Sequence, residues 1–173
     1  MPTSFGQMLK LIAEDFRAHG RDWTKPGFRS VAVHRFGVWR MSVQPKLLRA
    51  PLSLLYRLAF RRCRNVYGIE LPYSVALGRR VVIEHQGGIV IHGNCRIGDD
   101  TIIRQNCTLG IRRLENPFDA PIIGRNVSIG AGAVILGAVK IGDGSVIGAN
   151  AVVLDNLPDN SVAIGIPATI KRK

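Results

Sequence analysis

Ile123, Ile129, Ile135, Ile141, Ile147 and Val153 stand six residues apart without a slip, and Gly124, Gly130, Gly142 and Gly148 follow four of them. Ile91, Ile97, Ile103 and Leu109 keep the same interval, as do Leu71, Leu77 and Ile83. An aliphatic residue at every sixth position, followed by a small one, is the hexapeptide signature of a parallel β-helix. Three short strands make one triangular coil, and each inward aliphatic stacks on its counterpart three hexads later. Such a stack is buried only when several coils are present. The hexads from Leu71 to about Val153 supply roughly four or five, so the expected fold is mainly β.

The period is absent before Ile69. Residues 1–67 read as a small α-helical region, and residues 68–173 as the β-helix. Met8, Leu9, Leu11, Ile12 and Phe16 form an apolar stripe on a first helix. Trp23-Thr24-Lys25-Pro26-Gly27 breaks it. A second helix is expected from Phe28 to about Met41 and a third from Leu52 to about Arg64, with Pro45 between them and Gly68 closing the region.

Composition narrows the class. Hydrophobic residues make up 46% of the 173, which argues for a globular chain rather than a disordered one. No apolar run reaches the roughly 18 residues that would span a membrane, and the N-terminus lacks the order of a secretory signal. A cytoplasmic protein is expected. Cys63, Cys95 and Cys107 form no CxxC pair and read as small buried thiols. Charge is uneven: residues 1–70 hold 13 Lys and Arg against 4 Asp and Glu, a net of +9. That excess would attract an anionic partner. Contact with an anionic membrane at its inner face fits. Nucleic acid does not, since no aromatic platform or recognised motif accompanies the third helix's Arg57, Arg61, Arg62 and Arg64.

The beat breaks twice. Ile83 to Ile91 is eight residues, and the two extra fall within Glu84-His85-Gln86-Gly87-Gly88. Leu109 to Ile123 is fourteen, read as two hexads plus two, and its polar, proline-bearing sequence predicts an excursion loop at about 110–122. Interruptions of a repeat are where function is grafted. His85 is therefore the candidate general base, imidazole being the usual choice near neutral pH. His92 sits in a corner slot and reads as structural, His19 as solvated, and His34 as a packing or interface residue. A zinc enzyme on this scaffold would need three histidines, and the β-helix holds only His85 and His92.

The run His85-Gln-Gly-Gly-Ile-Val-Ile-His-Gly-Asn, with Ile97-Gly-Asp-Asp and Cys107-Thr-Leu-Gly, resembles the serine acetyltransferases, where the corresponding run is D-H-x-x-G-I-V-I-G. Lys25-Pro-Gly-Phe, His34-Arg35 and Trp39 upstream, and Ile129-Gly-Ala-Gly-Ala, Ile147-Gly-Ala-Asn-Ala-Val-Val and Gly165-Ile-Pro-Ala downstream, extend the likeness over nearly the whole chain. The resemblance implies a left-handed β-helix, a homotrimer, and acetyl transfer from acetyl-CoA to a hydroxyl without a metal. It places the catalytic base at His85, its orienting carboxylate at Glu70 and an acceptor-binding acid at Glu84. It places the pantetheine contacts at Gly130, Ala131 and Ala149, with Gly110 counted among the cofactor contacts. Lys171, in the basic tail Lys171-Arg172-Lys173, is a candidate for the phosphates of CoA.

This sequence also departs from the serine enzymes. Their R-H-P aligns with Asp119-Ala120-Pro121, so a cation for the serine carboxylate is missing. The N-terminal part is cut to about 67 residues, and the basic tail replaces an isoleucine-ended one. The chain looks closer to the short acetyltransferases of exopolysaccharide gene clusters, of the colanic acid type. Arg112 and Arg113 on the excursion would then select an anionic sugar. Serine acetylation in cysteine biosynthesis is the alternative. Gly87-Gly88 is the expected source of oxyanion donors, and Cys107 is not expected to act as a nucleophile.

Overall fold

In the computed structural model, which describes residues 4–172, three helices precede a left-handed parallel β-helix. Met1–Thr3 of the expected first helix and Lys173 of the tail lie outside the described residues, as does the side chain of Arg172. Helix α1 (Phe5–Ala18) starts at a capping box, Ser4 with Gln7. Helix α2 (Pro26–Arg40) begins with proline in its first turn, where a missing amide costs nothing. Helix α3 (Lys46–Tyr67) starts directly after Pro45 and carries Pro51 within it, so it is longer than the expected Leu52–Arg64. Its end at Gly68 is a left-handed cap with φ +64°.

Short strands follow: β1 (Ile69–Glu70), β2 (Ala76–Leu77), β3 (Val82–Ile83), β4 (Ile89–Ile91), β5 (Arg96–Ile97), β6 (Ile102–Ile103), β7 (Thr108–Gly110) and β8 (Ile122–Ile123). They continue as β9 (Ser128–Ile129), β10 (Val134–Leu136), β11 (Lys140–Ile141), β12 (Val146–Ile147), β13 (Val152–Val153), β14 (Ser161–Ile164) and β15 (Thr169–Arg172). They form the three faces of a prism: β1-β4-β7-β10-β13, then β2-β5-β8-β11, then β3-β6-β9-β12-β14-β15. All neighbours are parallel except β14 and β15.

The register reads out each coil's length. Ile123 pairs with Ile141, Ile129 with Ile147 and Ile135 with Val153, all eighteen residues apart. Ile83 pairs with Ile103, twenty apart, because the coil carries the His85 insert. Ile97 pairs with Ile123, twenty-six apart. The excursion is therefore one hexad plus eight residues, not two hexads plus two: Leu109 and Ile123 lie on adjacent faces. The closing coil is short, with Ala163 opposite Ile147, and β15 then turns back antiparallel, which the hexad pattern did not indicate. The stacked aliphatics are almost wholly buried, and Cys95 and Cys107 fill inward slots as expected.

The helical layer seals the open edge of the first coil. Arg35 donates to the carbonyls of Leu77 (2.9 Å) and Gly78, and is held by the buried Asp15 at 2.8 Å. Asp15 also accepts from the Arg80 amide at 3.2 Å. His34 Nε2 donates to Val75 O at 2.9 Å. His19, expected in solvent, is 2% exposed. Its Nδ1 donates to Asp15 O (2.7 Å) and its Nε2 accepts the Ile83 amide (3.2 Å), so it spends both ring nitrogens on this seam. A methyl group at Gly27 would overlap the Ile83 carbonyl, which is why α2 can lie so close to β3.

Two predictions follow from this seam. Asp15→Ala leaves Arg35 as an unpaired buried charge and should cost about 3–5 kcal/mol. Arg80→Ala, which breaks a half-exposed pair with Asp100, should cost about 1 kcal/mol or less. Urea midpoints compare the two. Burial holds the His34 imidazole down at about 4, against 6.5 for the free group. Between those pH values the unfolded chain binds a proton that the folded chain refuses, so stability falls as pH drops through that window. His34 alone accounts for up to roughly 3 kcal/mol. His34→Gln, whose amide still donates to Val75 O, should flatten this part of the stability–pH curve.

Candidate active site

Each coil turns from the third face to the first through a corner residue of left-handed conformation. Gly132 lies over Asn150 there, and Gly88 over Asn106. Gly88 thus occupies the regular corner place, and the two extra residues lie ahead of it. His85 among them has φ +67° and is exposed. A histidine in that region costs about 1–2 kcal/mol, and strain of this kind clusters at functional sites.

The insert is pinned at its ends and free at its tip. Glu84 N–H donates to Ile103 O, Gly87 N–H to Tyr67 O and Ile89 N–H to Gly68 O, each at 2.9 Å. The C-terminal cap of α3 therefore braces the insert: a side chain at Gly68 would press on Gly87 at 3.0 Å. The Gly87 amide is consequently spent on Tyr67 and cannot serve an oxyanion. Of the expected pair only Gly88 keeps an N–H without an acceptor among the described residues.

His85 and Glu84 line a cleft of about 650 Å³ between the first coil and the α1–α2 turn, with Ala18, His19, Lys25 and Gly27 opposite. Glu84 is paired with Arg104 at 3.0 Å, and Arg104 also donates to Ser128 Oγ at 3.1 Å. The sequence reading missed Arg104. The Ile83–Ile103 register carries the signal, because it sets opposite charges side by side in the next positions. Glu70 is half-buried on β1, opposite Val90, with Ile69 and Leu71 pointing inward on either side. Its carboxylate makes no hydrogen bond to His85 within the protomer.

The other expected cofactor residues divide. Gly130, Ala131 and Ala149 lie on the same prism edge as His85. A backbone ladder ties them: Asn106 N–H to Gly87 O, Gly132 N–H to Gln105 O and Asn150 N–H to Ala131 O, at 2.8–2.9 Å. Lys171 is exposed on β15, opposite Val162, at the far end of the third face. Five strand spacings separate β15 from β3, roughly 24 Å. Gly110, Arg112 and Arg113 stand on a different edge, between the first and second faces. There the two arginines line a cleft of about 440 Å³ with Asn116, Asp119, Asp155 and Asn156. A single protomer does not bring them to His85.

The remaining candidates are structural. The amide and carbonyl of His92 both join the corner hydrogen bonds, to Leu109 and Cys95. Cys107 Sγ faces Gly130 O at 3.1 Å, and burial pushes its thiol up. A thiol held protonated is a poor nucleophile.

Known proteins resemble this chain in sequence and fold. Residues 120–155 match the family model described as bacterial transferase hexapeptide (six repeats). The chain is 39% identical, over 165 residues, to an Escherichia coli (strain K12) protein with the provisional name colanic acid biosynthesis acetyltransferase WcaB, covering 92% of this chain and 98% of that one. It is 37% identical over 145 residues to the serine acetyltransferase of Mycobacterium tuberculosis (strain ATCC 25618 / H37Rv), covering 84% of this chain but 60% of that one, so it spans well under two thirds of that relative's length. The crystal structure of serine acetyltransferase from Brucella abortus strain S19 superposes with a TM-score of 0.81 at 25% identity, covering 98% of this chain and 70% of that one. Fold and sequence identity agree: the chain belongs to the hexapeptide-repeat acetyltransferases of the serine acetyltransferase type.

Proposed function

We propose that this protein transfers an acetyl group from acetyl-CoA to a hydroxyl of a sugar used in exopolysaccharide assembly. The observation that supports the choice of acceptor is the 39% identity to the colanic acid protein over 165 residues. The replacement of R-H-P by Asp119-Ala120-Pro121 points the same way, since it removes a cation suited to an amino-acid carboxylate.

His85 takes the proton of the acceptor hydroxyl as its oxygen attacks the thioester carbonyl. Glu70 orients the imidazole, as the carboxylate of a catalytic triad does. The free Gly88 amide faces the oxyanion. Collapse of the tetrahedral intermediate breaks the carbon–sulfur bond, and the thiolate leaves with the proton from His85. No acyl-enzyme forms. The edge that runs from His85 past Gly130, Ala131 and Ala149 offers backbone to an extended pantetheine arm, and Lys171 at its far end supplies charge for the phosphates. The enzyme works as a homotrimer. Packing the prisms side by side sets the Gly110–Arg113 edge of one protomer against the His85 edge of the next, where Arg112 and Arg113 bind an anionic acceptor. Glu84, steadied by Arg104, contacts the acceptor hydroxyls.

Two measurements test this. His85→Ala should lower kcat by about 10²–10⁴-fold, with the KM for acetyl-CoA little changed. An unchanged kcat would remove His85 from the chemistry. In a free-thiol assay over an acceptor panel, uronic-acid-bearing oligosaccharides should release CoA faster than L-serine. Turnover with L-serine alone would move the protein to the amino-acid branch.

A further inference from the structure

Helix α3 presents a face that acyl transfer does not use. Its inner side is fixed by the buried Tyr56 and Cys63. On the opposite side Leu47, Pro51, Leu54 and Leu58, spaced by four, three and four residues, form one continuous apolar ridge. Leu47 is 82% exposed, and Leu54 and Leu58 more than half. Lys46, Arg57, Arg61 and Arg64 run along one flank of that ridge, and Leu55 and Arg62 stand on the other. The helix holds six basic residues and no acidic one. No ion pair among the described residues involves α3.

A ridge of leucines this exposed is unusual on a surface that faces only water. A second copy of the chain is a poor occupant. A two-fold contact would press one basic flank against its identical mate. Nucleic acid has no use for the leucines, since its backbone is bound by charge. An anionic lipid surface satisfies both features, taking the leucines into the acyl boundary and the arginines among the headgroups. The helix is not long and apolar enough to cross the membrane, so it would lie along it. We propose that the outer face of α3 is an interfacial anchor for anionic membrane, a role independent of the chemistry at His85.

Co-sedimentation of the full chain with vesicles tests this, comparing phosphatidylglycerol mixed with phosphatidylethanolamine against phosphatidylcholine alone. Binding should appear with the anionic vesicles only and weaken with added salt. Arg57→Gln/Arg61→Gln/Arg64→Gln should reduce anionic binding by about 10- to 100-fold. Leu54→Ser/Leu58→Ser should reduce it at low and high salt alike. Both variants alter only exposed side chains, and circular dichroism confirms that each is folded. Equal binding to both vesicle types, or wild-type binding by both variants, overturns the proposal. So does a lipid-free assembly that dissociates in the Leu54→Ser/Leu58→Ser variant, because the ridge would then be covered by another copy.

Discussion

A stack of parallel coils ends in unpaired backbone, and everything in this molecule rests on how the first coil's edge is satisfied. Carbonyls of Val75, Leu77 and Gly78 and the amide of Ile83 have no preceding coil to bond. Arg35, His34 and His19 reach them from the helical layer, and the buried Asp15 carboxylate holds Arg35 in place. Left bare, such an edge would template association with other chains. The same seam fixes the α1–α2 turn over Val82–Gln86, which makes the far wall of the His85 cleft. Edge protection and site construction are one piece of architecture.

Much of this was legible as sequence because a prism repeats one local rule. The sixfold spacing of Ile123 to Val153 states where each side chain points, and the two departures from it state where the wall opens. The edge contacts were not legible. His19 follows an amphipathic stripe and looks solvated; only its pairing with Ile83, sixty-four residues away, shows it to be buried. The length of the excursion is hidden from the sequence for a related reason. Spacing gives the number of residues between two aliphatics, but not which face each one lies on. Helix α3 outran its expected start because a proline in an early turn removes one amide without ending the helix.

The His85 corner shows how a repeat accommodates an insertion. Gly88 keeps the regular corner conformation, so the coils above continue in phase, while the two additional residues swell outward. Gly68 lies in near contact with Gly87 beneath them, and a side chain at Gly68 would press on the insert, whereas Gly87 opens to free space and is held to glycine by its φ of +100°. Of the insert's residues in the left-handed region, His85 alone carries a side chain, and it is a titratable ring.

The reversed strand β15 has a consequence for growth. A parallel solenoid with a bare terminus invites another to continue it, and repeated addition gives fibres rather than discrete particles. Here the final coil is clipped by two residues and its outermost partner runs the opposite way. The opposite terminus is plugged by helices. Neither terminal coil of the described residues therefore offers a bare parallel edge on which a second prism could continue the stack.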